Sequence, residues 1–148
     1  PEVLGQSLER NITMRRMIKK HAEDGTAIYA ECGGLMYLTK SISFGKKKYR
    51  MVGLFDAETQ MTKKMTLNYT EGRIRSNCLV SAPAKFRAHE FHYSKILNLP
   101  RDARLVYELK IGEGIDNKKD ALSEYNTLAS YCHLYFDSAK HAARMLDR

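Results

Sequence analysis

The sequence predicts an α/β fold, and three features of the chain carry this prediction. An N-terminal segment has the apolar spacing of a helix, a short apolar run after it is typical of a buried strand, and the middle of the chain alternates with a period of two. With 148 residues, 43% of them hydrophobic, the chain is long enough to bury one core. We therefore expect residues 1–148 to form a single domain.

The first helix is predicted at residues 6–24. This stretch is rich in helix formers, Asn11 or Thr13 can cap it internally, and Gly25 ends it. Its apolar positions are expected to face the core. They are Leu8, Ile12, Met14, Met17 and Ile18.

A strand, a tight turn and a second helix are predicted next. Residues 26–30 form a short apolar run with β-branched and aromatic members, which favours a buried strand. Residues 31–34 read Glu-Cys-Gly-Gly and predict a tight turn, after which residues 35–39 open a second helix. The chain thus places Cys32 where a strand turns sharply into a helix.

Period-two alternation predicts several antiparallel strands in the middle of the chain. The residues that alternate are Met65, Leu67, Tyr69, Leu79, His89, Phe91 and Tyr93. Further strands are predicted at residues 104–111 and 127–131, with an exposed turn at residues 112–117 between them. A C-terminal helix is predicted at residues 138–146.

Charge and cysteine content narrow the classes of function. The net charge of +8 invites comparison with nucleic-acid-binding proteins, but the only dense basic run is residues 46–48 and no nucleic-acid-binding motif accompanies it. We therefore expect a solvated basic surface, or one that attracts an anionic partner, and no nucleic-acid partner. The three cysteines form no C-x-x-C pair and no apolar run is long enough for a membrane span, which favours the reducing cytoplasm and no membrane partner.

Cys32 is a candidate nucleophile. A strand-to-helix turn lifts a side chain out of the sheet edge, and the helix N-terminus favours thiolate over thiol. Gly33 and Gly34 let a substrate carbonyl approach backbone N–H groups, so the geometry serves acyl transfer from an amide. The alternative is a small buried cysteine in a tight turn, and spacing alone leaves both open.

His133 is a candidate base because it comes directly after the last predicted strand. A second catalytic group at that point can face Cys32 across neighbouring strand ends, since nucleophile and base are often distant in sequence and close in space. A histidine that is merely packed or exposed at a strand end is the alternative, which sequence spacing also leaves open.

A third cluster occupies residues 87–94. Strand alternation places Glu90 and His92 on one face of the strand and the side chains of residues 89, 91 and 93 on the other. A carboxylate and an imidazole on one face can orient a group, bind a ligand or shuttle protons, or they can form a simple surface ion pair. Because no third ligand stands at suitable spacing, we predict no metal site.

Three segments of the chain form a specific combination. They are residues 28–38 (IYAECGGLMYL), residues 88–94 (AHEFHYS) and residues 128–136 (LASYCHLYF). In this order they resemble the cobyrinate a,c-diamide synthase family, whose C-terminal half is a class I glutaminase-type domain. The resemblance implies a flavodoxin-like layered sheet with flanking helices, here without its N-terminal strands and with an antiparallel extension in the middle of the chain.

The resemblance also implies a two-part enzyme. An N-terminal ATP-binding domain outside this chain uses Mg-ATP to activate a substrate carboxylate, while the C-terminal domain hydrolyses glutamine and passes ammonia to the acetate groups a and c of a corrinoid or related tetrapyrrole. Cys32 matches the family's nucleophile, and His133 matches its catalytic histidine. The resemblance implies no cofactor within residues 1–148.

This chain departs from the family pattern at the third catalytic position. Many class I glutaminases carry a glutamate two residues after the catalytic histidine, where this chain has Tyr135. Glu90 is the predicted substitute, and a Cys–His dyad without a carboxylate is the alternative. Glu31 and His92 are further candidates for orienting the base or binding substrate. Residues 1–2 resemble the end of a glycine-rich loop that helps to form the oxyanion hole, so we expect low activity from this chain alone.

Several other functions stay open at the level of sequence. Nickel-sirohydrochlorin a,c-diamide synthase resembles this family in the same motifs, and cobyric acid synthase and the glutaminases of cell-wall amidation are more remote relatives. A cysteine peptidase or thioester hydrolase would use the same cysteine and histidine. A non-catalytic binding module would use the basic residues 46–48.

Overall fold

A computed structural model describes residues 1–75, 78–79 and 85–135 of the chain. Its helical elements are a 3₁₀ turn at Glu2–Leu4 and the α-helices α1 (Gly5–Arg10), α2 (Ile12–Glu23) and α3 (Gly33–Leu38). Its strands are β1 (Ile28–Glu31), β2 (Thr39–Phe44), β3 (Lys47–Arg50), β4 (Phe55–Ile74), β5 (Lys85–Leu97), β6 (Leu105–Ile111), β7 (Lys119–Glu124), β8 (Thr127–Ser130) and β9 (Cys132–Leu134).

These strands form one mixed sheet. Its order is β1-β8-β7-β6-β4-β2-β3, with β5 paired to β4 and β9 paired to β5. The pairs β1–β8 and β2–β4 are parallel, and the others are antiparallel. The predicted α/β class and the antiparallel middle of the chain are confirmed. Because β1 and β8 are parallel, their carboxyl ends, which lead to Cys32 and to β9, lie side by side.

The first predicted helix is in fact two helices. Asn11 interrupts it with φ −78° and ψ 67°, and the Asn11 side chain accepts the N–H of Met14 at 3.1 Å. The predicted internal cap at Asn11 is therefore confirmed. Gly25 follows the end of α2 with φ 85°, a left-handed conformation that suits glycine and stops the helix.

The inner face of α2 differs from the predicted one. Ile12, Met14 and Met17 are 50%, 50% and 47% exposed, whereas Ala22 is fully buried and Ile18 packs against the core. In this orientation Arg15 and Lys19 donate hydrogen bonds to carbonyl oxygens of the loop between β3 and β4. The prediction is therefore confirmed for Leu8 and Ile18, which pack against buried residues, and wrong for the other three apolar positions.

The main core lies beneath α3 and determines where that helix rests. Its buried side chains include Leu35, Leu38, Phe55, Leu122 and Tyr131. Full burial of a leucine stabilises the folded state by about 1.5–3 kcal/mol relative to exposure. The short helix α3, and with it the turn at its N-terminus, is thus fixed by packing.

The long strands β4 and β5 carry the predicted alternation, but several of the apolar side chains that define it lie on the exposed face. Leu67, Tyr69 and Phe91 are 61%, 81% and 47% exposed, whereas Glu90 and His92 point inward. Leu79, which the alternation assigned to a strand, lies in a turn. Where β5 meets β9, the buried Glu90 therefore lies beside a hydrophobic cluster that includes Ala88 and Cys132.

Strands β6 and β8 confirm those predicted at residues 104–111 and 127–131, while β2, β3 and β7 were not predicted. The chain breaks from β8 at Tyr131 and then pairs with β5 as β9. His133 therefore lies inside a strand instead of directly after the last one. The helix predicted at residues 138–146 falls outside the described residues.

The basic run at residues 46–48 lies at the exposed hairpin between β2 and β3, where Lys48 forms an ion pair with Glu58 at 2.7 Å. No helix in the described part of the chain combines the length and the apolar character needed to cross a membrane.

Candidate active site

Cys32 forms the corner between β1 and α3. Its backbone has φ 48° and ψ −100°, and its N–H donates to the carbonyl oxygen of Ser130 at 2.7 Å. A non-glycine residue held at positive φ costs about 1–3 kcal/mol and persists only where the surrounding structure imposes it. Here the packing of α3 and the hydrogen bond to the end of β8 hold Cys32 in this conformation. The sulfur therefore lies at the sheet edge, as the sequence predicts.

The two glycines after Cys32 lie in close contact with their surroundings. A Cβ atom on Gly34 would lie 2.9 Å from the Cβ of Ala30, and one on Gly33 would lie 3.0 Å from the Cδ of Pro1. The first distance is shorter than real Cβ contacts, so α3 can lie this close to β1 only because Gly34 lacks a side chain. A side chain on Gly33 would require Pro1 to shift by a few tenths of an ångström.

The Cys32 thiol is neutral in the resting protein. Burial raises the pKa of this half-buried thiol, and a hydrogen bond from the N–H of Gly33 offsets the effect only in part. We expected the helix N-terminus to favour the thiolate, but α3 has only six residues and burial outweighs it. The sulfur donates to the carbonyl oxygen of Phe91 at 3.4 Å. Cys32 therefore needs a base to become a nucleophile.

His133 is the middle residue of β9 and lies opposite His89 of β5. Its Nδ1 atom is 3.3 Å from the carbonyl oxygen of His89, and the two imidazole rings stack with centroids 4.5 Å apart. A carbonyl oxygen only accepts, so this hydrogen bond requires the proton on Nδ1. The Nε2 atom of neutral His133 is then left as the proton acceptor.

Both candidate catalytic side chains approach the same edge of β5. Carbonyl oxygens alternate between the two edges of a strand, so those of His89 and Phe91 point the same way, about 7 Å apart along the strand. His133 contacts the first of these oxygens, and Cys32 contacts the second. The tertiary structure thus brings two side chains that are separated by most of the chain to the same edge of β5.

Glu31 links the two candidates through its carboxylate. One oxygen, Oε1, accepts both the hydroxyl of Tyr29 at 2.5 Å and the backbone N–H of Leu134 at 3.0 Å. Glu31 immediately precedes Cys32, and Leu134 immediately follows His133. The carboxylate therefore joins the end of β1 to β9.

Glu90 does not reach His133. In the β5–β9 pair Glu90 lies opposite Cys132, so its side chain is on the other face of the sheet from His133. It is fully buried and accepts the backbone N–H groups of Glu113 at 3.0 Å and Gly114 at 2.6 Å. The prediction that Glu90 replaces the missing triad carboxylate is therefore wrong, because strand alternation turns it to the opposite side.

His92 shares the inward face with Glu90, as strand alternation predicts. Its ring stacks on that of Tyr131 with centroids 3.7 Å apart, and its Nδ1 atom is 2.9 Å from the carbonyl oxygen of Ser94. Its Nε2 atom is buried and has no hydrogen-bond partner among the described residues. Burial lowers the pKa of His92, so the ring stays neutral in the fold.

Asp120 belongs to the surroundings of the site and was missed in the sequence. It is fully buried and accepts the backbone N–H groups of Tyr131 at 3.1 Å and Cys132 at 2.8 Å. One ligand atom each of Glu90, Asp120 and Cys132 lie within 4.8 Å of one another. Both carboxylates are engaged by backbone N–H donors, which gives them a structural role. Its neighbours in the chain, with two lysines before it and Ala121 and Leu122 after it, give no clear signal that this aspartate is buried.

The chain was compared with known protein families and with known proteins. Residues 1–141 match the model of the CobB/CobQ-like glutamine amidotransferase domain. The chain is similar to proteins named cobyrinate a,c-diamide synthase, with 45% identity over 95% of this chain in Sulfurisphaera tokodaii and 40% over 91% in Methanosarcina barkeri. The matched part is 32% and 30% of those two relatives, so the chain spans about a third of their length.

Solved structures show the same fold at low sequence identity. PurLQS from Thermotoga maritima is similar with a TM-score of 0.68 and 15% identity, over 90% of this chain and 67% of that one. A protein described as a putative GMP synthase subunit, from Thermoplasma acidophilum, gives a TM-score of 0.56 and 14% identity, over 95% of this chain and 66% of that one. The class I glutaminase-like fold is thereby confirmed.

Proposed function

Because this chain belongs to the family of CobB/CobQ-like glutamine amidotransferase domains, we propose that it is the glutaminase part of a cobyrinate a,c-diamide synthase, with Cys32 as nucleophile and His133 as base. The observation that carries the proposal is the placement of both side chains on neighbouring carbonyl oxygens at one edge of β5. A dyad without a carboxylate partner suits this site, since the His89 carbonyl already fixes the tautomer of His133.

Hydrolysis of glutamine begins with proton transfer. The thiol of Cys32 gives its proton to Nε2 of His133, and the resulting thiolate attacks the side-chain amide carbon of glutamine. A carbon–sulfur bond forms, and the carbonyl electron pair moves to oxygen. In this proposal the backbone N–H of Gly33, which lies beside the sulfur, donates to the oxyanion that develops. Gly34 has no side chain that would block the substrate carbonyl from approaching this N–H group.

Collapse of this intermediate releases ammonia. The imidazolium of His133 protonates the amide nitrogen as the carbon–nitrogen bond breaks, which leaves a glutamyl thioester on Cys32. His133 then accepts a proton from water, whose oxygen attacks the thioester. The carbon–sulfur bond breaks, glutamate leaves, and the thiol of Cys32 is restored.

The ammonia would be used by another part of the intact protein. In this proposal an ATP-binding domain outside residues 1–148 activates the acetate groups a and c of a corrinoid with Mg-ATP, and ammonia converts each to an amide. Residues 1–148 themselves are assigned no cofactor. The alternative substrate is nickel-sirohydrochlorin. To distinguish the two, the intact protein is supplied with ATP, glutamine and either the corrinoid or nickel-sirohydrochlorin, and amidation of each ring is measured.

Glutamate release by the intact protein tests the catalytic pair. We expect C32A and H133A to abolish it, whereas C78A, a change of a second half-buried cysteine to which the proposal gives no role, retains it. Amidation driven by added ammonium salts should persist in C32A, which shows that the protein is folded and that only the supply of ammonia is lost. Glutamate release by C32A at the normal rate would refute the proposal.

A further inference from the structure

The strands that carry the nucleophile and the base are not joined by a backbone ladder. Among the described residues, β1 pairs with β8 and β9 pairs with β5. Strand β9 has only three residues, and the chain breaks at Tyr131 between β8 and β9. The position of His133 relative to Cys32 therefore depends on contacts other than strand pairing between β1 and β9.

The carboxylate of Glu31 supplies such a contact. Its Oε1 atom accepts the N–H of Leu134 at 3.0 Å, one residue beyond His133. The same oxygen accepts the hydroxyl of Tyr29 at 2.5 Å, from two residues earlier on the same strand face. Burial raises the pKa of Tyr29, so this hydroxyl remains a donor and holds the carboxylate in place.

A second carboxylate holds the other side of His133. Asp120 accepts the backbone N–H groups of Tyr131 and Cys132, the two residues before the histidine. The backbone is thus anchored to carboxylates immediately before and immediately after His133. Asp120 is fully buried in the core, whereas Glu31 is next to Cys32 in the chain and so connects the nucleophile to the backbone that carries the base.

In a catalytic triad the carboxylate orients the imidazole by accepting its Nδ1 proton. Here the carbonyl oxygen of His89 in β5 accepts the hydrogen bond from Nδ1 instead. The orientation of the imidazole therefore depends on how β9 is placed against β5. Activation of the thiol is not the task of Glu31. Burial is the main cause of the raised pKa of Cys32, and the negative charge of Glu31 raises it further.

We infer that Glu31 is a positioning residue, whose carboxylate holds β9 so that His133 faces Cys32. It thereby does through the backbone what a triad carboxylate does through the imidazole. This inference rests on the proposed function, and it adds a requirement that the Cys32–His133 pair alone does not contain. It predicts that the reach of the side chain at this position matters and that its charge does not.

Two substitutions separate reach from charge in the intact protein. E31Q keeps the length and an oxygen that can accept both hydrogen bonds, whereas E31D keeps the charge and withdraws the oxygen by one methylene group. We expect E31D to lower kcat for glutamine hydrolysis about tenfold or more with KM little changed, because the shortened side chain loses its hydrogen bond to Leu134 and no longer holds β9 in place. E31Q should stay within about threefold of the unchanged protein.

A double-mutant cycle that combines E31D with H133A tests whether Glu31 acts through the base. The readout is the rate at which a diazoketone analogue of glutamine labels Cys32, which is measurable even when turnover is lost. E31D should slow labelling in the unchanged background and add nothing to H133A, because residues that act as a unit are not additive. Ammonium-dependent amidation in each variant verifies that the protein is folded.

The outcomes distinguish this inference from the proposed function. Loss in E31Q equal to that in E31D, full activity in E31D, or a slowing by E31D that persists in the H133A background would each overturn the role of Glu31. None of these results would affect the assignment of Cys32 and His133. Conversely, unchanged glutamate release in C32A would refute the catalytic pair before Glu31 is considered.

Discussion

The imidazole rings of His89 and His133 lie face to face, with centroids 4.5 Å apart and planes inclined by 17°. The two residues are direct partners across the β5–β9 pair, and the carbonyl oxygen of His89 also faces Nδ1 of His133. His89 therefore supports the candidate base with both its backbone and its ring. The hydrogen bond fixes the direction of Nδ1, and the stack fixes the plane of the ring.

Removal of the His89 ring should weaken catalysis without abolishing it. An aromatic pair contributes about 0.5–1.5 kcal/mol beyond its buried area, so H89A should lower kcat about two- to tenfold. H89F keeps a ring in the stack and should retain most of the activity. Steady-state glutamate release by the intact protein measures both variants, and equal activity in H89A and H89F would show that the ring is dispensable.

Alkylation of Cys32 should depend on pH in the manner of a thiol with a raised pKa. The thiolate is the reactive form, and burial makes it scarce at neutral pH. The rate of modification by iodoacetamide, followed by mass spectrometry of the Cys32 peptide, should therefore rise with pH to a midpoint above about 8.5, the value of an ordinary thiol. The denatured protein provides the reference midpoint. A midpoint lower than that reference would contradict the prediction.

The stability of the fold should decrease on acidification because of His92. Burial lowers the pKa of this residue below 6.5, so the unfolded chain binds a proton that the folded chain does not. The free energy of unfolding should therefore fall as the pH drops below about 6.5. H92F retains a ring against Tyr131 and cannot titrate, so it should flatten this slope in urea unfolding between about pH 5 and 7.5. An unchanged slope would rule out His92 as its source.

A methyl group at position 34 should displace the turn that carries Cys32. The added Cβ would lie 2.9 Å from that of Ala30, so G34A should cost about 1–3 kcal/mol of stability and should slow glutamine hydrolysis. The double variant A30G/G34A removes the opposing methyl group and should recover most of both losses. Denaturant unfolding and glutamate release measure the two effects. Failure of A30G to rescue G34A would show that the cost has another origin.

Local features of the chain were predictable from sequence because they depend on neighbours in the chain. The strand, tight turn and helix around Cys32 follow from an apolar run and two glycines, and the cap at Asn11 follows from its side chain. The three motifs also pointed to the family that the comparison confirmed. Residue periodicity placed β4 and β5 but could not tell which face is buried.

Contacts between distant segments could not be predicted in this way. The register of β5 against β9 sets His89 opposite His133 and turns Glu90 toward Cys132, and a register is determined by the whole sheet. The same holds for Glu31, whose partner Leu134 is 103 residues away. No spacing rule relates positions so far apart in the chain.

The amino-acid sequence by itself determined the corner at Cys32, the alternation of the strands and the identity of the family, because short-range sterics and side-chain pattern specify them. Only the tertiary structure decided that Glu90 faces away from His133, that a carbonyl of β5 takes the place of a triad carboxylate, and that Glu31 ties β9 to the nucleophile. The physical reason is that hydrogen-bond partners between strands depend on register and burial, which arise when the complete sheet is assembled.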